Sequence, residues 1–191
     1  MAYLNPGGRV MAERLSTCFS ILLPMALLSA CATAPRPPAF EIPPSLSVPA
    51  DQRLATIVEA TGVQIYVCAP AKEPAVGNVW TFRAPEAELR DQSGGHFGRH
   101  YAGPTWEARD GSKVVGVVKA KENAPEATAI PWLLLSTGAT YEHGVLDQTK
   151  SIQRLKTVGG QPPTVECSSA ELGREMRVPY QAEYRFYVAG P

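Results

Sequence analysis

Apolar and polar residues alternate with period two near the end of the chain. Val178, Tyr180, Ala182, Tyr184, Phe186 and Val188 are separated by Pro179, Gln181, Glu183, Arg185 and Tyr187. A β-strand turns successive side chains to opposite faces, so this pattern predicts a strand with one buried and one mostly wet face. Pro179 lacks an N–H and predicts an edge position or a bulge near the start of that strand. Upstream, residues 63–69 (VQIYVCA) are rich in β-branched and aromatic side chains, and residues 78–83 carry Val79, Trp80 and Phe82. Residues 105–109 and 113–119 flank Asp110-Gly111-Ser112, and Asp-Gly between two such runs predicts a hairpin. Residues 132–135 and 151–158 are further short runs, bounded by Pro131 and Gly138 and by Gly159-Gly160. Residues 51–60 fit either a short helix on Leu54, Ile57 and Val58 or a strand leading into 63–69. Many short strands with turn signals predict a mainly β fold, a single-domain antiparallel β-sandwich or barrel over residues 51–191.

The front of the chain follows a different pattern. Arg9 and Arg14 precede an apolar run over residues 15–28, which is too short to span a bilayer and is interrupted by Pro24. It ends in Leu28-Ser29-Ala30-Cys31, the arrangement of a bacterial lipobox. This predicts a signal peptide over residues 1–30, cleavage before Cys31 and lipid on its thiol; the alternative is an ordinary secretory signal with a chance cysteine. Met11 is a better candidate start than Met1, because residues 11–30 alone have signal-peptide proportions. Residues 31–50 read as a tether. Pro35, Pro37, Pro38, Pro43, Pro44 and Pro49 favour extended geometry, which at ~3.1 Å per residue reaches about 60 Å. Ala32, not an acidic residue, follows the cysteine, a pattern that points to the outer rather than the inner membrane of a Gram-negative cell. The expected location is therefore the bacterial envelope, lipid-anchored and facing the periplasm.

Removing Arg9, Arg14 and Glu13 with the leader leaves 16 basic and 17 acidic residues. A balanced chain without a basic stripe offers nothing to nucleic acid. With Cys18 in the leader and Cys31 lipidated, Cys68 and Cys167 remain in an oxidising compartment. A disulfide between them is the natural reading; two buried thiols or a catalytic cysteine are the alternatives, and neither cysteine has a nearby histidine in sequence.

Several segments carry a family resemblance: Gly62-Val-Gln-Ile-Tyr-Val-Cys68, Gly98-Arg-His-Tyr-Ala-Gly-Pro-Thr-Trp-Glu107, Asp110-Gly-Ser112, Ile130-Pro-Trp-Leu-Leu-Leu135, Ile152-Gln-Arg-Leu155 and Val178-Pro-Tyr180. Together they resemble the exported family known as domain of unknown function 3455, over residues 55–188. The resemblance implies a secreted, β-rich domain and no established reaction. Some members carry dehydrogenase labels, but no Gly-x-Gly-x-x-Gly follows a strand here, so no nicotinamide cofactor is expected.

Residues 98–112 hold the best candidate site. His100, Tyr101, Trp106, Glu107 and Asp110 place an imidazole, two aromatic faces and two carboxylates within one hairpin and its approach. Rings beside carboxylates suit a sugar or another small polar ligand; the alternative is architecture, with Trp106 in the core and Asp110-Gly111 at a hairpin tip. His96 and His100 have the spacing of metal ligands on a helix, but Gly94, Gly95, Gly98 and Pro104 surround them, so no metal is expected. Ser112 with His100 lacks a nucleophile elbow, and nothing in the spacing of Glu107 and Asp110 favours a glycosidase pair. Gln153 and Arg154 read as solvated surface. The leading expectation is a lipid-anchored envelope protein that binds a small ligand or an envelope partner, rather than an enzyme. A hydrolase or metal-dependent enzyme using residues 96–112, and a purely structural envelope lipoprotein, are the alternatives.

Overall fold

The computed structural model describes residues 40–73 and 77–191. The leader, Cys31 and the first part of the tether lie outside the described residues. Eight strands follow one another: β1 (Gln52–Pro70), β2 (Asn78–Asp91), β3 (His96–Tyr101), β4 (Thr105–Ala108), β5 (Lys113–Glu122), β6 (Trp132–Tyr141), β7 (Thr149–Gly159) and β8 (Glu175–Ala189). Each pairs antiparallel with the next, and β8 returns to β1 from Gln52↔Ala189 to Val67↔Glu175. The sheet thus closes into a barrel, which settles the expected choice between sandwich and barrel. Of residues 51–60, open between helix and strand, all but Asp51 belong to the 19-residue β1.

Closure changes the meaning of Pro179. A closed barrel has no edge strand. Pairing of β7 with β8 ends at Gly159↔Tyr180, one residue short of Pro179, so a proline there forfeits no bond to β7. Register shifts interrupt several pairs, including β1–β2 between Ile65 and Tyr66 and β2–β3 between Leu89 and Arg90. Such bulges bend and coil strands enough to close a sheet.

The predicted alternation in β8 points Tyr180, Ala182, Tyr184 and Phe186 inward. In β1, Val58, Ala60, Gln64 and Tyr66 are likewise buried. One end of the barrel is filled. Leu89, Val114, Ile152 and Phe186 pack there around Leu146, which comes from the β6–β7 connection, and each such side chain contributes about 1.5–3 kcal/mol over exposure. The opposite end carries the β1–β2, β3–β4, β5–β6 and β7–β8 connections, because alternate turns of a meander share one end.

The outer face of β8 is drier than its pattern suggests. Residues 40–50, the last part of the stretch read as a tether, run along the outside of the barrel and include a 3-10 turn at Pro44–Leu46. Leu46 is fully buried against Trp132 and Leu155. The Gln153 amide donates to the Leu46 carbonyl (2.6 Å) and accepts from the Tyr187 hydroxyl (2.7 Å). Phe40 stands 5.3 Å from the Trp132 ring, with the Lys156 ammonium 4.9 Å from its centroid. Beside this strap Glu183 is buried and takes 2.6 Å bonds from both Lys156 and Arg185. Burial pushes its carboxyl up, but these two cations outweigh that and hold it below the usual carboxylate range.

Candidate functional site

The β3–β4 hairpin sets Arg99 opposite Glu107, His100 opposite Trp106 and Tyr101 opposite Thr105. Its alternation divides the expected site between the two sides of the barrel wall. His100 and Trp106 are buried inside, with ring centroids 4.3 Å apart and planes within 14° of parallel. Tyr184 meets both edge-on, at 5.1 and 5.2 Å. The His100 Nδ1 lies 2.8 Å from the Thr105 carbonyl. A carbonyl can only accept, so Nδ1 donates and Nε2 keeps the lone pair. Burial pushes the His100 pKa down to about 3, so the ring is neutral at ordinary pH.

Tyr101 and Glu107 point outward. The Tyr101 hydroxyl donates to Glu107 (2.8 Å), and Arg99 donates to both carboxylate oxygens at 3.1–3.2 Å. The Tyr101 hydrogen bond, followed by Arg99, holds the Glu107 carboxyl below its ordinary value. They edge an outer groove of about 770 Å³, whose charges are spent on each other: Arg99 with Glu107, Arg177 with Glu86 at 2.8 Å.

Asp110 sits at the closed end. Gly111 adopts φ +89° at the β4–β5 tip, which suits glycine, and Asp110 Oδ1 accepts from the Ser112 amide (3.0 Å) and hydroxyl (2.6 Å). Its Oδ2 accepts from the Val145 amide at 2.9 Å, and the Ser112 hydroxyl accepts from the Leu146 amide at 3.1 Å. The Ser112 hydroxyl leads the bonds that depress the Asp110 pKa. Asp110 and Ser112 therefore clamp the β6–β7 connection, with its Leu146 plug, to the β4–β5 hairpin. The five candidates do not share one cleft, and no hydrogen bond joins Ser112 to His100. His96 is exposed while His100 is buried, so that pair does not converge either.

What the fold does bring together lies at the mouth. A cavity of about 570 Å³ descends to His100, Trp106 and Tyr184 and is walled by Tyr66, Phe82 and Leu133. Pro104, Pro131 and Pro162 line it from three of the four connections at that end. The β7–β8 connection is tied down by the Cys68–Cys167 disulfide, with Cα atoms 5.5 Å apart, and by the Trp80 indole N–H donating to the Val165 carbonyl at 2.8 Å. The expected cystine is thus a staple of the mouth.

Arg154, read from sequence as surface, projects into this cavity. Its Nε and Nη2 donate to the Pro131 carbonyl at 3.0 and 2.8 Å, and it has no carboxylate partner among the described residues. Gln153, read the same way, is buried beneath the strap. The residues that sequence reasoning missed are Gln64, Tyr66 and Arg154. The available signal was parity: Arg154 stands two residues from the buried Ile152, and Gln64 and Tyr66 four and two residues before Cys68.

Around the cavity, Gln64 Nε2 and Trp106 Nε1 are buried without a hydrogen-bond partner, while the buried Tyr180 and Tyr184 hydroxyls have only each other and, for Tyr184, the Arg154 guanidinium within reach. Gln64, Trp106 and Tyr184 line the cavity. Tyr180 stands beside Gln64; a Cβ on Gly160 would lie 2.8 Å from Tyr180 Cβ and 3.1 Å from Gln64 Cγ. Burial raises the pKa of both tyrosines, so they remain protonated donors.

The sequence model of the family described as "Protein of unknown function (DUF3455)" matches residues 49–188. The chain belongs to that family. No curated protein and no solved structure matches it. The DUF3455 match runs from just before β1 to the penultimate residue of β8, so it takes in the barrel and its cavity, and leaves the whole Phe40–Leu46 stretch of the strap outside.

Proposed function

We propose that this DUF3455 domain is a small-ligand-binding barrel, held to the periplasmic side of the bacterial envelope by lipid on Cys31. The reading rests above all on the unpartnered polar groups around the mouth cavity. Buried polar groups in native proteins are paired, because an unmet donor costs about 1–3 kcal/mol. Two unmet donors, Gln64 Nε2 and Trp106 Nε1, with the Tyr184 hydroxyl beside them around one cavity of ligand size, are an arrangement that a bound molecule completes. Eight-stranded antiparallel barrels have an interior wide enough to hold one small ligand. The outer groove near Tyr101 and Glu107 is the weaker candidate, since its charges already satisfy each other.

Within this reading Trp106, His100 and Tyr184 form the floor against which a flat or apolar body rests. Tyr66 and Phe82, edge-on at 5.8 Å, form one wall. The disulfide keeps the β7–β8 connection in place at the mouth. Native mass spectrometry of the protein from its own membranes, followed by denaturing extraction, tests the binding function. A stoichiometric small molecule that is lost in a Trp106→Ala variant supports it. An empty barrel that shows no thermal shift with any member of a metabolite library refutes it. Acyl-chain mass on an amino-terminal Cys31 peptide tests the anchor separately.

A further inference from the structure

We propose that the ligand is a small carboxylic acid with an aromatic or aliphatic body, its carboxylate received by Arg154 with the Trp106 indole N–H, the Gln64 amide and the Tyr184 hydroxyl. This deepens the binding reading and rests on it. The argument is one of donor and acceptor balance. The lining of the mouth cavity contains three cations, Arg83, Lys121 and Arg154, and no carboxylate. Arg83 is spent outside on Glu175 at 3.0 Å. Arg154 is not paired. Its guanidinium uses Nε and Nη2 on one backbone carbonyl, which orients the group and leaves its charge unneutralised. A partly buried guanidinium without a counter-ion favours an anion, and Arg geometry suits a carboxylate.

The unpartnered neutral groups agree in sign. An indole N–H and the Nε2 of an amide can only donate, and a protonated phenol donates readily. Sugars would require acceptors for their many hydroxyl protons. The two carboxylates expected to supply them, Glu107 and Asp110, are on the outer wall and at the closed end. Against these donors the floor offers the His100 Nε2 lone pair as an acceptor; the donors outnumber it, which calls for a ligand rich in acceptors. Below and beside them the cavity is apolar: Phe82, Leu133 and Leu135 on the walls and the Trp106 ring at the floor. An acid with a hydrophobic body meets both halves of that lining.

Three probes with one body test this on the full-length protein in lipid nanodiscs: 2-naphthoate, 2-naphthamide and 2-naphthylmethylammonium, titrated by calorimetry at pH 7.5. The expected result is that naphthoate binds at least tenfold more tightly than the amide, and that the ammonium binds most weakly. In Arg154→Gln that preference collapses to within about twofold while the amide still binds; Arg154→Lys retains part of it. Should Arg154→Gln fail to fold, Trp106→Phe serves instead: it removes the indole donor, keeps a ring, and, whatever it costs both probes, should narrow the preference for naphthoate over naphthamide severalfold. Equal binding of naphthoate and naphthamide to the wild type, or an unchanged preference in Arg154→Gln, overturns this inference and leaves the binding barrel standing. Binding by none of the three at millimolar concentration likewise overturns this inference, while the binding barrel itself stands or falls with the native mass spectrometry and thermal-shift screen.

Discussion

Replacing His100 by phenylalanine should flatten the stability of this protein between pH 6.5 and 5. In the folded state the ring is sealed between Trp106 and Tyr184, and burial holds its pKa down to about 3, while in the unfolded chain it titrates near 6.5. A group with a depressed folded pKa takes up its proton first in the unfolded state. For histidine this means full stability above about pH 6.5 and a progressive loss as pH falls toward 3. One pH unit within that window is worth about 1.4 kcal/mol, so acidification from pH 7.5 to 5 should cost about 2 kcal/mol. Carboxylates held low, such as Glu107 and Asp110, add their own acid loss only below about pH 4.3. Glu59, raised by burial and then by Glu183, acts in the opposite direction just above its ordinary value. Both effects are common to wild type and variant, so the difference between the two isolates His100. Urea unfolding at four pH values with the disulfide intact gives the slopes. The variant also loses the donor to the Thr105 carbonyl and should be less stable at pH 7.5, but with a flatter profile. Equal slopes, or a wild type whose stability does not change between pH 7.5 and 5, would show that His100 is not buried and neutral as described.

Three further outcomes follow from particular contacts. Cleaving Cys68–Cys167 releases a loop of about 100 residues, for which chain entropy gives up to about 4.7 kcal/mol, so a reductant should lower the melting temperature sharply and weaken ligand binding at the mouth. Asp110→Ala removes the acceptor for Ser112 and Val145, and should lower the melting temperature at neutral pH while leaving naphthoate affinity unchanged. The wild-type advantage over that variant should be full above about pH 4 and vanish as acid protonates the depressed carboxyl, which melting curves at pH 7 and pH 3 would read. Leu46→Ala should cost about 2–5 kcal/mol in urea unfolding, although Leu46 precedes the first strand, because it is fully buried against Trp132 and Leu155.

How much of the site was legible can be judged from the 98–112 segment. Its residue types marked it, and two of its members, His100 and Trp106, do form the cavity floor. The segment could not show that Tyr101 and Glu107 lie across the wall from them, because which parity faces inward depends on what the other strands enclose. The bulge beside Phe97 also shifts the alternation between His96 and His100, and a bulge leaves no mark that residue type alone reveals. Arg154 is the sharper case. A charged residue between apolar neighbours reads as solvated surface by default, and only the closing of the barrel encloses it.

The order of residues alone was enough to specify a β protein, the Asp110-Gly111 hairpin, the inward face of β8 and a pair of cysteines left to join. These rest on short-range physics: side-chain alternation, turn geometry and thiol chemistry act within a few residues or by elimination. Which sheet those strands would build, which wall each polar group would face, and that a strap would bury Glu183 and Gln153 were decided by the tertiary structure. Pairing of β8 with β1 joins residues more than a hundred positions apart. Until that pairing exists there is no inside for Gln64, Trp106, Arg154 and Tyr184 to share.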